Sequence, residues 1–210
     1  MKRINRTLRL LAVTAVAVGT LLPTAPVQAV TVRVTPATQT IGVGNPATVN
    51  IVVSDLTQAL GGFSFILTFN NAILASVGFT PNPDNKMGAI PLGCFLGCGF
   101  TGGVLDVLYV ADLNAEEVAL AAAQGTGFTL ATVNFTGSNP GLSPLTLTDV
   151  VLSNFTGGAT IPGVVVENGE ICVTAAGATN CPRDVPEPGT LVLLTLGVLG
   201  IGLTRRRRSI

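Results

Sequence analysis

Between Phe63 and Phe69 every second position carries a large apolar side chain: Phe63, Phe65, Leu67 and Phe69, with Ser64, Ile66 and Thr68 between them. A spacing of two puts the first set on one face of an extended chain, whereas a helix would scatter the same residues around its axis. The aromatic set is therefore the core-facing side of a β-strand. Period-two stretches rich in Thr, Val and Phe recur along the chain, separated by Gly, Pro and Asn clusters. They predict strands over residues 31–35, 48–54, 63–70, 74–79, 104–111, 128–137, 145–153, 164–167 and 170–174. So many short strands between turn signals specify an all-β sandwich or barrel. One helix interrupts them. Asn114 stands at its N-cap, Glu117 follows as capping-box partner, Ala115 to Ala123 are good helix formers, and Gly125 and Gly127 stop it. Glu167-Asn168-Gly169-Glu170 reads as a two-residue hairpin turn, because asparagine and glycine tolerate the positive φ that such a turn demands.

The ends are built differently. Lys2, Arg3, Arg6 and Arg9 precede an apolar run of 13 residues, Leu10 to Leu22, and Pro23 and Pro26 follow it. That run has the length of a signal-peptide core and is short for a bilayer span. Val27-Gln28-Ala29 places small residues at the two positions a signal peptidase reads, so cleavage is expected after Ala29 and residues 1–29 form the signal peptide. At the other end, Val185-Pro186-Glu187-Pro188-Gly189 leads into the apolar run Thr190 to Thr204 and then into Arg205 to Arg208. As a helix the 15 residues of that run would reach roughly 22 Å, short of a hydrocarbon core of roughly 30 Å. Bilayer thinning or arginine snorkelling accommodates such a transmembrane helix, with the arginines on the cytoplasmic side.

With both ends set aside, residues 30–184 remain as one domain of about 155 residues, enough for a real core. Its three basic residues, Arg33, Lys86 and Arg183, stand against ten acids, for a net charge of −7 that the terminal arginines conceal in the whole-chain zero. Three scattered cations cannot form a phosphate-binding surface, so nucleic acid is excluded as a partner. The chain has no histidine. A serine or cysteine nucleophile therefore lacks an imidazole base, and the carboxylates do not form an evident catalytic pair: Asp106 and Asp112 are expected at opposite ends of a strand, with Glu116 and Glu117 at an exposed helix start. No catalytic residue and no cofactor is assigned.

The four cysteines, Cys94, Cys98, Cys172 and Cys181, allow three pairings in an exported chain. Two local disulfides, Cys94 to Cys98 and Cys172 to Cys181, are the expected arrangement. The alternative is a single four-thiolate metal site, for which the gap from Cys172 to Cys181 is wide. Asp55, Asn82, Asp84 and Asn85 offer hard oxygen ligands in loops, yet no EF-hand pattern is present and no metal ligand is assigned. Sugar stacking would call for exposed aromatic platforms, and the chain has no tryptophan and one tyrosine, Tyr109, in a predicted strand. Asn134-Phe135-Thr136 and Asn154-Phe155-Thr156 match the N-glycosylation pattern, but triplets of this kind arise by chance and are read as strand or turn sequence.

Pro186-Glu187-Pro188, one terminal apolar span and a basic tail together resemble the PEP-CTERM sorting signal of bacterial exosortase substrates. The resemblance implies export in a Gram-negative bacterium, an inner-membrane intermediate held by the tail, cutting near the motif by an exosortase-type enzyme, and delivery to the cell envelope or extracellular matrix. The domain is similar to the cohesin family. The likeness rests on Gly61-Gly62-Phe63-Ser64-Phe65-Ile66-Leu67-Thr68-Phe69-Asn70 with Ile73-Leu74, on residues 103–112, the 114–123 helix, residues 127–135 and Asn168-Gly169, in that order. Asn70-Asn71 departs from the aromatic and acid usual there, and residues 81–103 form an insertion. The likeness implies a jelly-roll β-sandwich with one short helix that binds a protein partner or serves adhesion without catalysis. Binding of an extracellular polysaccharide is the alternative, through the related fold of some cellulose-binding modules.

A processed sorting tail has a direct consequence. Intact-mass analysis of the envelope-associated protein should give a chain that begins at Val30 and ends between Val185 and Gly189; a mature species that still carries Thr190 to Ile210 would show an ordinary anchor.

Overall fold

The computed structural model describes residues 29–95, 97–178 and 181. Among them the chain forms β1 (Thr31–Thr35), β2 (Thr38–Gly42), β3 (Pro46–Ser54), β4 (Leu60–Thr68), β5 (Leu74–Pro81), β6 (Gly93–Cys94), β7 (Gly99–Thr101), β8 (Val104–Val110), α1 (Glu117–Gln124), β9 (Gly127–Gly137), β10 (Gly141–Asn154), β11 (Val165–Glu167) and β12 (Gly169–Thr174). A five-stranded sheet has the order β11-β1-β3-β9-β5. A seven-stranded sheet has the order β2-β12-β10-β4-β8-β6, with β7 also paired to β8.

The alternation read from the sequence supplies the interior. Phe63, Phe65 and Leu67 of β4 and Leu105, Val107 and Tyr109 of β8 are buried on one sheet, and Val49, Ile51 and Val53 of β3 with Val133 and Phe135 of β9 on the other. Burying each such side chain contributes about 1.5–3 kcal/mol, so the shared interior is the main stabilising term. Phe69 meets Phe135 of the five-stranded sheet edge-on with centroids 5.0 Å apart, which joins the layers, and Phe63 stacks on its cross-strand neighbour Tyr109 at 5.3 Å.

Two segments pass from one sheet to the other side by side. Residues 31–42 leave the five-stranded sheet at the cis Thr35–Pro36 peptide bond and enter the seven-stranded sheet as β2. Residues 165–174 do the same as β11 and β12, in parallel register with β1 and β2 respectively. This corrects the hairpin expected at Asn168-Gly169. Its two arms do not pair with each other, and neither residue has positive φ. Instead the Asn168 Oδ1 accepts a hydrogen bond from the Leu147 N–H at 2.8 Å, and the Glu170 N–H donates to the Ala37 carbonyl at 2.8 Å. Glycine is required at 169 by proximity, because a Cβ there would lie 2.7 Å from Val34 Cγ1 and 3.0 Å from the Ala37 oxygen. β2 was not anticipated: Thr38–Gly42 shows little apolar alternation, with only Ile41 buried, and its partner β12 lies far along the chain. Because both paths run the same way, Val30 and Thr174 lie at opposite ends of the sandwich.

The helix also differs from expectation. It spans Glu117–Gln124 with Glu116 at the N-cap and no side-chain cap, so the Asn114–Glu117 capping box does not form. The residue that organises this stretch is Asp112, whose Oδ1 accepts from the Asn114 N–H at 3.0 Å while its carbonyl accepts from the Ala115 N–H at 3.1 Å. Asp112 lies just past the end of β8 and is buried, whereas Asp106 lies within the strand and is exposed. Gly125, with φ 60°, ends the helix as expected. The helix is held by its last residue. The buried Gln124 side chain accepts from the Leu60 N–H at 2.7 Å and donates to the Leu60 carbonyl at 2.9 Å. A carboxamide thus stands in for the strand neighbour that β4 lacks once β8 has turned away. The insertion at 81–103 likewise contributes to the fold: Met87 is fully buried, and β6 and β7, too short to show a period, extend the sheet beyond β8.

Two substitutions test these closures in urea or thermal unfolding. Gly169→Ala should cost about 1–3 kcal/mol through overpacking at the crossing. Gln124→Ala should cost about 2–6 kcal/mol, since it strands a buried N–H and a buried carbonyl at about 1–3 kcal/mol each. Thr80→Ala, an exposed control, should change stability by less than about 0.5 kcal/mol. Wild-type midpoints for both core variants would contradict the account.

Candidate functional site

Once β4 has turned its phenylalanines inward, its remaining side chains face solvent on the seven-stranded sheet. In register, Ser64 lies between Leu108 of β8 and Val151 of β10, Gly62 between Val110 and Ser153, and Ile66 between Asp106 and Thr148. The four residues of β10 from Thr148 to Val151 stand opposite three of β4, Ile66 to Ser64, and Asp149 takes φ 50° within this bulge. The added residue turns Val151 outward, where it is 43% exposed.

The rows form a groove of about 330 Å³ along β4. Gly62 and Ser64 make its floor, Leu108, Val110 and Leu113 one wall, and Val151 and Phe155 the other. The glycines keep the floor low: a Cβ at Gly61 would lie 2.7 Å from the Asn154 carbonyl oxygen, and one at Gly62 would lie 3.0 Å from Ser153 Oγ. Asp106 is the one charged residue at these register positions. In a domain of net charge −7 this is a charge-poor, apolar concavity.

Further apolar groups border it. The Phe95 N–H donates to the Leu108 carbonyl at 3.1 Å, which continues the β6–β8 register and brings Phe95, 52% exposed, alongside Leu108. At the end of β8, Asp112 Oδ2 accepts from the Ile90 N–H at 3.1 Å, and Ile90 and Leu113 on either side are 78% and 64% exposed. Asp112 thus fixes both the insertion and the turn after β8, and its carboxylate is used structurally.

The residues singled out in the sequence fall in several places. Cys94 is bonded to Cys98 at the β6 edge, where Phe95 stands inside the loop, and Cys172 on β12 is bonded to Cys181. The four sulfurs therefore sit in two separate bridges. Ala29 is exposed, and the Val30 carbonyl that follows it accepts from the Val165 N–H at 2.8 Å. Pro186, Glu187, Pro188, the apolar run 190–204 and Arg205 to Arg208 lie outside the described residues. Among the described residues no helix is long and apolar enough to cross a membrane, and no group of three or more His, Cys, Asp or Glu side chains is placed to hold a metal ion. Asn82, one of the loop oxygens considered for calcium, is buried, accepting from the Lys86 N–H at 2.7 Å and donating to the Tyr109 hydroxyl at 3.4 Å. Tyr109 is itself buried against Phe63 and offers no sugar-stacking surface. The groove was missed by sequence reasoning. Its signal was present in the outward positions of three strands, Ile66, Leu108, Val110 and Val151, which are apolar where solvent-facing positions would ordinarily be polar.

Comparison with known proteins gives two findings. Residues 184–208 match the family described as the PEP-CTERM protein-sorting motif. No curated protein matches the chain. Among solved structures, CaCohA2 from Clostridium acetobutylicum superposes with a TM-score of 0.56 at 16% identity, covering 72% of this chain and 94% of that one. The sixth cohesin of scaffoldin B from Acetivibrio cellulolyticus, solved in complex with a Cel5 dockerin mutant, gives 0.55 at 15% identity over 70% of this chain and all of that one. A non-cellulosomal cohesin from the archaeon Archaeoglobus fulgidus gives 0.51 at 16% identity over 71% of this chain and 94% of that one. The described domain thus has the cohesin fold, and the chain that carries it has a PEP-CTERM protein-sorting motif at its C-terminal end.

Proposed function

We propose that this chain is an exported, non-catalytic docking protein of the cell envelope or extracellular matrix, whose domain, residues 30–184, receives a protein partner in the groove along β4. The observation that carries this reading is the groove itself. Its floor is of small residues, its walls are apolar, and it is nearly free of charge on an acidic domain. An apolar concavity left open to water is unfavourable for an isolated soluble domain and favourable for one that is covered by a partner. The fold supports the same reading, because a cohesin of this architecture is known in complex with a dockerin. A dockerin-type partner is accordingly the leading candidate.

Delivery follows from the tail. The sorting motif supports recognition by an exosortase-type enzyme, cutting near Pro186-Glu187-Pro188, and release from an inner-membrane intermediate in which residues 190–204 span the bilayer. Prolines on both sides of Glu187 keep the backbone from entering a helix and favour the extended form that a processing cleft accepts.

The immobilised mature protein should capture a discrete partner from envelope extracts of the producing cells. The double variant Ser64→Arg/Val151→Arg, which places two charges in the groove on outward-facing positions, should reduce that capture by at least about tenfold while leaving the unfolding midpoint within a few degrees of wild type. Capture of the same proteins by wild type and variant alike would remove the groove from consideration.

A further inference from the structure

The opposite sheet presents a surface of another kind. Across β1, β3, β9 and β5 a single register row holds Thr35, Asn50, Thr132 and Thr80, and the neighbouring row holds Thr48 and Asn134. These are outward positions on the strands whose other faces fill the core. Two side-chain bonds tie the strands together: the Thr132 hydroxyl donates to Asn50 Oδ1 at 2.8 Å, and the Thr48 hydroxyl donates to Asn134 Oδ1 at 2.9 Å. Each bond fixes an amide and leaves both asparagines their N–H donors and both threonines their acceptor oxygens toward solvent. On this face Arg33 lies in register with Glu167 of β11 on one side and with Val52 and, beyond it, Thr129 on the other. Where the rows end beside it, a cleft of about 310 Å³ is lined by Arg33, Ser54, Asp55, Asp84, Thr126 and Thr129.

We propose that this ladder and the cleft at its end bind a neutral polysaccharide. Adjacent strands are about 4.8 Å apart, comparable with the length of one pyranose ring in an extended glycan. A sugar chain laid across the strands therefore meets a hydroxyl or an amide at each one. The cleft adds what a ring hydroxyl pair needs: carboxylates that accept, at Asp84 and at Asp55, whose Oδ2 also accepts from the Ser54 hydroxyl at 3.0 Å, and a guanidinium at Arg33 that donates in a fixed fork. An anionic polymer would be repelled by the net charge of −7, and the apolar, charge-free ligands suited to the groove would leave these polar groups without partners. Recognition here works by hydrogen bonds alone, without aromatic stacking, so each row binds weakly and a polymer engages several rows at once. The ladder is on the opposite face of the sandwich from the groove, and the inference stands or falls independently of protein docking there.

The test is co-sedimentation of the mature protein with insoluble cellulose, chitin and a β-1,3-glucan, with alginate beads as the acidic comparator. At least one neutral polymer should deplete the protein and alginate should not. The variant Thr132→Arg/Asn134→Arg should weaken binding by about tenfold, the loss expected when one or two hydrogen-bonding groups are removed, and Arg33→Gln, at an exposed position of β1, should weaken it in the same direction. Val151→Arg, in the groove, should leave it unchanged. Failure to bind any of the neutral polymers, equal binding to alginate, or wild-type binding by folded Thr132→Arg/Asn134→Arg and Arg33→Gln would overturn the proposal.

Discussion

The sandwich depends on the place where its first and last strands change sheets together. Residues 31–42 and 165–174 run in parallel through both layers, so each ties the two sheets covalently and the pair is tied by backbone hydrogen bonds. At the crossing there is no room for a side chain on residue 169, and the Glu170 N–H is satisfied by the Ala37 carbonyl. A sandwich held only by apolar contact can slide, because that attraction has no direction. The crossing gives it one register, and everything on either outer face inherits its position from that register.

The N-terminal pole of the sandwich, where Val30 enters, is closed by polar side chains used as replacement backbone. Gln124 completes the edge of β4 beside Leu60, and Asp112 brackets Ile90 and Asn114. Both groups are buried, and their side-chain oxygens and nitrogen are hydrogen-bonded to the backbone. Their effect on the surface is to hold Leu113 and Ile90 beside the groove. Thr174 and the Cys172–Cys181 bridge lie toward the other pole. The disulfide holds Cys181 against β12, a strand with a neighbour on each side.

Most of this architecture was legible in the sequence because period-two burial is a local signal. The alternation at Phe63–Phe69, the length of β9 and the helix stop at Gly125 all appear where the residues predict them. What escaped was non-local. Asn168-Gly169 carries the local chemistry of a hairpin turn, but the glycine is there to let Val34 approach, a contact across more than a hundred residues that no turn rule contains. The capping box is absent for a similar reason: Asp112, held by the insertion, accepts from the Asn114 N–H, the donor that Glu117 would have bound. The groove and the threonine ladder were both encoded in outward positions. Sequence reading assigns such positions to solvent by default, and their pattern becomes visible only when strand neighbours from distant segments are set in register.

The account's central claim is that the groove along β4 is the face that another protein covers. Site-specific photo-crosslinking in the producing cells addresses it most directly, with benzoylphenylalanine introduced in place of Val151 in the groove and, separately, in place of Thr48 on the opposite sheet. The account predicts a discrete protein adduct of defined mass from the Val151 position and none from Thr48. A chain that gives no adduct from Val151, or gives the same adduct from both faces, would contradict it.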